Sequence, residues 1–145
     1  MKYQNQNCPL ALGLSVLGNH WTLLIARNIL KGVNRFDRIQ KDLKISRNLL
    51  SKRLKEMEAD GLLKKVTING NKRKEYLPTQ KCQDLIKIFF SFSSWSEKWI
   101  ELNNVPKLRA KHKINGKSLS LKFVFDDNND KNISIKDVQM NLFSN

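Results

Sequence analysis

Residues 45–62 read ISRNLLSKRLKEMEADGL, and this stretch decides the fold. Ile45, Leu50, Leu54, Met57 and Leu62 recur at spacings of three to five, which predicts one amphipathic helix with a core-facing stripe. Ser46 suits the N-cap, where its hydroxyl accepts from an orphan backbone N–H, and Gly61 suits a left-handed C-terminal stop. The opposite face carries Arg47, Asn48, Ser51, Lys52 and Lys55, two hydrogen-bonding residues among three positive charges. A solvated helix surface accounts for such a face when it stands alone. Docked on a domain, the same helix is built to lie in a DNA groove.

The flanking residues supply that domain. CPLALGLSVL (8–17) predicts a short helix with Pro9 in its first turn, where the missing N–H costs nothing. Asn19 can cap the next helix, HWTLLIARNILKG, whose Trp21, Leu24, Ile25, Ile29 (or Asn28) and Leu30 mark a buried element. Arg35–Leu43 is short and amphipathic, with Phe36, Ile39 and Leu43 inward, and a tight link leads to Ser46, as in a helix-turn-helix. After Gly61, LLKKVTI and NKRKEYL flank Asn69-Gly70, a strong hairpin signal. The expected fold is therefore mainly α with a small β wing: a winged helix-turn-helix.

Thr79 can cap a longer helix running to about Asn103. Its apolar positions Leu85, Phe89, Phe92, Trp95 and Trp99, with Leu12 of the first helix, exceed what one domain face covers and suggest a dimer interface. The expected division is a domain over 1–104 and a basic linker with a small β-rich extension over 105–145. There SLSLKFVF alternates Leu119, Leu121, Phe123 and Phe125 in a strand pattern, and Ile133 and Ile135 are candidates for a partner strand.

A net charge of +14 points to a polyanionic partner, nucleic acid before an anionic membrane surface. Residues 1–104 carry 19 basic and 9 acidic groups, hence +10, and residues 105–145 carry 8 and 4, hence +4. No apolar run approaches the roughly 18–20 residues that a spanning helix needs. The opening MKYQNQNCPLALG lacks a basic cluster and a long apolar core, so a secretory leader is not expected. Two cysteines, Cys8 and Cys82, are too few to staple the chain, which makes reduced thiols in the cytoplasm the expectation.

The motifs taken together resemble the HxlR-type, MarR-like winged helix-turn-helix transcription regulators of bacteria and archaea. The resemblance runs over about residues 8–100. It rests on Cys8-Pro9, on the G-x-x-W-T-L-L-I block at Gly18–Ile25, on R-F-x-x-I at Arg35–Ile39, then on EMEADGLL, KEYLPT and WSEKW. It implies a homodimer on a palindromic operator in double-stranded DNA. Departures are the Asn-Gly wing tip where many relatives have a proline-containing loop, and Cys82 where relatives often have glycine. Some relatives carry a cysteine-bearing C-terminal ribbon. The matching positions here are Asn115, Phe125 and Asn128, none of them a zinc ligand, so no metal or other cofactor is expected.

The candidate site residues follow. Arg47 suits bidentate guanine readout and Asn48 adenine, whereas Ser46, Ser51, Lys52 and Lys55 complete the face, the lysines on phosphates. Arg53 lies partly inward. Lys72 and Arg73 of the wing either keep an exposed hairpin soluble or make phosphate or minor-groove contacts, the expected role, and Arg35 at the start of the first motif helix is a backbone-contact candidate. Cys8 is either inert packing or a redox or electrophile sensor, the latter a role found among family members with a cysteine there. Cys82 reads as core or interface filler. His20 and His112 lack partners at ligand spacing, and Asp126, Asn128 and Asp130 have Lys131 where a calcium loop needs glycine. No glycine-rich phosphate loop, nucleophile elbow or paired carboxylates occur, which argues against an enzyme. The expected function is a sequence-specific regulator, most simply a repressor, with an unknown small-molecule effector. The rival is a sequence-independent packaging protein.

Overall fold

In a computed structural model of the chain, residues 8–68, 74–101, 108–122 and 133–138 are described. Helices α1 (Pro9–Leu17), α2 (His20–Leu30), α3 (Phe36–Leu43) and α4 (Arg47–Ala59) are followed by strands β1 (Leu63–Thr67) and β2 (Lys74–Pro78). Next come a one-turn helix α5 (Gln80–Gln83), the longer α6 (Leu85–Trp99), two two-residue strands, β3 (Ala110–Lys111) and β4 (Ser118–Leu119), and a 3-10 turn at Ile135–Asp137. The chain divides into two compact units, 1–86 and 87–145, and the division falls inside α6.

The first unit is built around α2 and α4. Asn19 caps α2 by accepting from the Trp21 amide at 3.0 Å, and Ser46 caps α4 by accepting from the Leu49 amide at 3.3 Å. Ile45, Leu50, Leu54, Met57 and Leu62 are all buried, together with Ile25, Ala26 and Ile29 of α2 and Ile39 of α3. Truncating a fully buried leucine such as Leu54 to alanine typically costs about 2–5 kcal/mol. No single helix among the described residues is long and apolar enough to cross a membrane.

Two polar side chains of α2, Thr22 and Asn28, lie inside this core, and Asn28 is the one that reaches another helix. Asn28 is 1% exposed; its Oδ1 accepts from the Arg27 guanidinium at 2.8 Å and its Nδ2 donates to Asp42 Oδ2 at 2.7 Å. Its backbone carbonyl accepts from Val33 N at 2.9 Å. A single residue thus ties α2 to the far end of α3 and to the loop between them.

The wing joins the same loop. β1 and β2 pair antiparallel from Leu63↔Pro78 to Thr67↔Lys74, and Arg35 forms an isolated bridge with Glu75. Tyr76 N donates to Asn34 O, and Asn34 Nδ2 donates to Glu75 Oε2 at 2.8 Å. The Asn69-Gly70 tip lies outside the described residues.

Three expectations need correction. The long helix from Thr79 is two helices, separated at Asp84, and it ends at Trp99 rather than near Asn103. Thr79 pins the first turn to the end of α4 by donating its hydroxyl to Gly61 O and Leu62 O, while Lys81 Nζ donates to Asp60 O. The Asp84 carboxylate accepts from Gln80 Nε2 at the break. Among the described residues of SLSLKFVF the strand is Ser118–Leu119, because its partner offers two residues and no core face; Leu119 and Leu121 stay exposed, and Phe123 and Phe125 lie outside the described residues. Ile135 enters a 3-10 turn, in which Ser134 O accepts from Asp137 N, instead of a strand.

The turn between α3 and α4 shows a strain that periodicity does not reveal. Lys44 has φ +51°, the left-handed conformation that closes α3. Lys44→Gly should therefore raise stability by up to about 1 kcal/mol, and Lys44→Val should lower it. Urea unfolding midpoints at unchanged slope check both signs.

Candidate nucleic-acid interface

The outward face of α4 follows from its buried one. With Leu50, Leu54 and Met57 inward, Arg47, Asn48, Lys52 and Lys55 are exposed and Ser51 is half-buried. Among the described residues, Asn48, Lys52 and Lys55 have no side-chain hydrogen bond or ion pair, so their donors are open to a ligand. Ser46 is exposed, but its hydroxyl is engaged in the cap. Arg53 turns inward, where its Nη1 meets Glu56 at 2.6 Å and its Nε is buried without a partner.

Arg47 is held in a way the sequence reading missed. Its guanidinium lies 5.3 Å from the centroid of the Phe36 ring, a cation–π contact between the first residues of α4 and α3. Both positions were visible in the sequence, but Phe36 read as a core residue, and nothing in the spacing pairs it with Arg47. Arg35 is half-buried, with Nε 3.4 Å from Asp37, and its backbone bridges to Glu75. Arg38 is exposed and, with Gly32, Val33, Asn34 and Arg35, lines a cleft of about 220 Å³. Arg38 was also missed; its place one turn after Arg35 is the signal that could have found it.

On the wing, Lys64, Lys65 and Lys74 are exposed, and Lys65 Nζ sits 5.6 Å from the centroid of Tyr76, its cross-strand partner. Burial, and secondarily the Glu58 carboxylate, push the Tyr76 phenol above its ordinary range, so it stays neutral beneath that lysine. Lys72 and Arg73 lie outside the described residues.

Of the residues expected at a dimer interface, Leu12, Phe92, Trp95 and Trp99 are exposed, with Phe92 at 63% and Trp99 at 66%, and Phe89 is half-buried. Leu85 is different. It is buried in the chain itself and lines a cleft with Leu12, Gly13, Val16, Leu17, Leu62 and Lys81. Its turn toward the core follows from the break at Asp84.

Cys8 is half-buried at the N-cap of α1 and makes no side-chain capping bond. Cys82 is fully buried, and burial pushes its thiol up to about 11. No group of three His, Cys, Asp or Glu side chains that could hold a metal occurs among the described residues.

This arrangement, a capped helix on a three-helix core with an antiparallel wing, defines a winged helix-turn-helix. A family model described as HxlR-like helix-turn-helix matches residues 16–104, and the chain belongs to that family of transcription regulators, not to an enzyme family. It is 35% identical over 101 residues to the HTH-type transcriptional regulator YvaP of Bacillus subtilis (strain 168), covering 68% of this chain and 94% of YvaP. The HTH-type regulator Rv3095 of Mycobacterium tuberculosis is 31% identical over 100 residues, or 68% of this chain; the match spans 63% of that relative's length. The crystal structure of PA1607 shares the fold across 97% of this chain and 99% of its own, with a TM-score of 0.82 at 24% identity. The reduced form of the transcriptional regulator YodB from B. subtilis matches 67% of this chain and 98% of its own, with a TM-score of 0.57 at 27% identity.

The two thiols should separate chemically. Thiolate is the alkylated species, so at pH 8 the raised pKa of Cys82 keeps it unreactive. Iodoacetamide labelling of the native chain, read by peptide mass spectrometry, should modify Cys8 well before Cys82. Unfolding in urea should abolish the difference.

Proposed function

We propose that the chain is a sequence-specific regulator of transcription that binds double-stranded DNA as a homodimer. The observation that carries this reading is the open row Asn48, Lys52 and Lys55 on α4, with Arg47 held at its start by Phe36. Two protomers pair through residues 8–17 and 79–103, covering Leu12, Phe92, Trp95 and Trp99, with Phe89 at the margin. Each puts α4 into a major groove, the two about one helical turn apart, on an imperfect inverted repeat.

Within each half-site the roles divide. Arg47 and Asn48 read base edges, with Ser46 and Ser51 beside them. Lys52, Lys55, Arg35 and the wing residues Lys72 and Arg73 hold phosphates. The functional domain is residues 1–104, and the protein acts in the cytoplasm as a repressor that occludes a promoter. Cys8 makes it responsive to oxidants or electrophiles; support comes from its partial exposure and from likeness to YodB, which has also been solved in a diamide-treated form.

Selection of bound fragments from random duplexes tests the reading. An enriched inverted repeat is expected, whereas binding with no enrichment would favour a packaging protein. On the selected site, Arg47→Ala should relax preference at one position by about 1–3 kcal/mol. Lys52→Ala should weaken specific and random DNA alike and reduce the slope of log K against log salt by about 0.9. Equal losses on both DNAs for both variants would overturn the division of labour. Diamide should weaken operator binding by the wild-type chain and leave Cys8→Ser unaffected; an identical response in the two would remove the sensing role.

A further inference from the structure

Between Glu101 and Asp126 the sequence holds Lys107, Arg109, Lys111, Lys113, Lys117 and Lys122 and no acid. The described part of this segment is a second basic hairpin. Ala110 pairs with Leu119 and Lys111 with Ser118. His112 N donates to Lys117 O, and Gly116 N donates to His112 O, both at 2.9 Å. Gly116 closes the turn at φ +68°, a conformation that favours glycine, and Asn115 Oδ1 accepts from Lys117 N at 3.1 Å. The tip is therefore a shaped turn.

Its base is fixed as well. Arg109 Nη1 donates to both carboxylate oxygens of Glu97, at 2.8 and 2.9 Å, and to Leu108 O. That pairing takes Arg109 out of service as a ligand contact. Lys111, Lys113, Lys117 and Lys122 are exposed and have no ion pair among the described residues. At the apex, between Lys113 and Asn115, Ile114 is 91% exposed.

Two features need a common partner: a concentration of unpaired lysines and a β-branched apolar side chain held in water at the point of a turn. A polyanion answers the first. An apolar tip on a basic ribbon answers both when the polyanion is a duplex, since minor-groove binders place apolar wedges against the base steps and lysines on the flanking phosphates. We infer that hairpin 110–119 is a second DNA-contacting arm, with Lys111, Lys113 and Lys117 on backbone phosphates and Ile114 seated in the minor groove. The inference rests on the DNA-binding reading above and adds to it a sequence-independent contact outside α4 and the wing.

The test uses the full chain on the selected operator. The triple variant Lys111→Gln/Lys113→Gln/Lys117→Gln should make the slope of log K against log salt shallower by about 2–3, with the operator-to-random affinity ratio unchanged. The same positions replaced by arginine should restore the slope. Ile114→Ser should weaken binding by about 5-fold or more while leaving the slope intact. If the wild-type chain binds duplex and the triple variant keeps its slope, this inference fails and the functional reading stands. A wild-type chain without salt-dependent duplex binding overturns both. Sedimentation with phosphatidylserine-containing vesicles that depends on the lysines and Ile114, beside unaltered DNA binding, would assign the arm to membranes and contradict the inference.

Discussion

The buried side chain of Asn28 is the constraint on which the rest of the helix-turn-helix depends. An amide sealed from water must find partners for its carbonyl and its amino group, and leaving one unmet costs about 1–3 kcal/mol. Asn28 meets the need with Arg27 on its own helix and Asp42 at the end of α3. Apolar contacts along α2 and α3 would tolerate small slides of one helix past the other. The 2.7 Å bond to Asp42 does not, because a hydrogen bond has a length and a direction. Two residues beyond Asp42 the chain turns at Lys44, and α4 begins at Arg47. The position of α4 is thus referred back to a single polar group in the core.

The electrostatics build on that placement. Three acids near α4 are used internally: Glu56 takes Arg53, Asp42 takes Asn28, and Asp37 takes Arg35. The cations left over are at the outer face of α4, on α3 and on the wing, where water screens them in the free protein and a polyanion would replace that water. Phe36 restrains Arg47 without neutralising it, since the ring contributes a quadrupole and no charge. A guanidinium held this way loses less freedom on meeting a base edge than one moving freely on the surface.

Much of this was legible before any coordinates. The stripe from Ile45 to Leu62, the caps at Asn19 and Ser46 and the stop at Gly61 all follow from periodicity and capping chemistry. Those rules concern neighbours a few residues apart, and the features they missed are of another kind. The Phe36–Arg47 contact, the Asn28–Asp42 bond and the bridge from Arg35 to Glu75 join residues from 11 to 40 positions apart. The break at Asp84 was hidden because the apolar pattern continues across it, while bonds from Thr79 and Lys81 to the end of α4 fix the first turn separately. Lys44 in the left-handed region was unreadable because lysine carries no signal for it. In the described part of the extension, alternation alone carried the strand past Leu119, although no buried face awaited Leu119 and Leu121.

The central claim is that two copies of α4 read base edges in successive major grooves. Guanine-N7 methylation interference on the selected operator addresses that contact directly, because N7 lies in the major groove and is the atom a guanidinium would meet. Two clusters of interfering guanines are expected on one face of the duplex, about 10 base pairs apart, with one position in each cluster falling silent for Arg47→Ala. Interference that is absent, or spread evenly along the site and unchanged in the variant, would contradict the account.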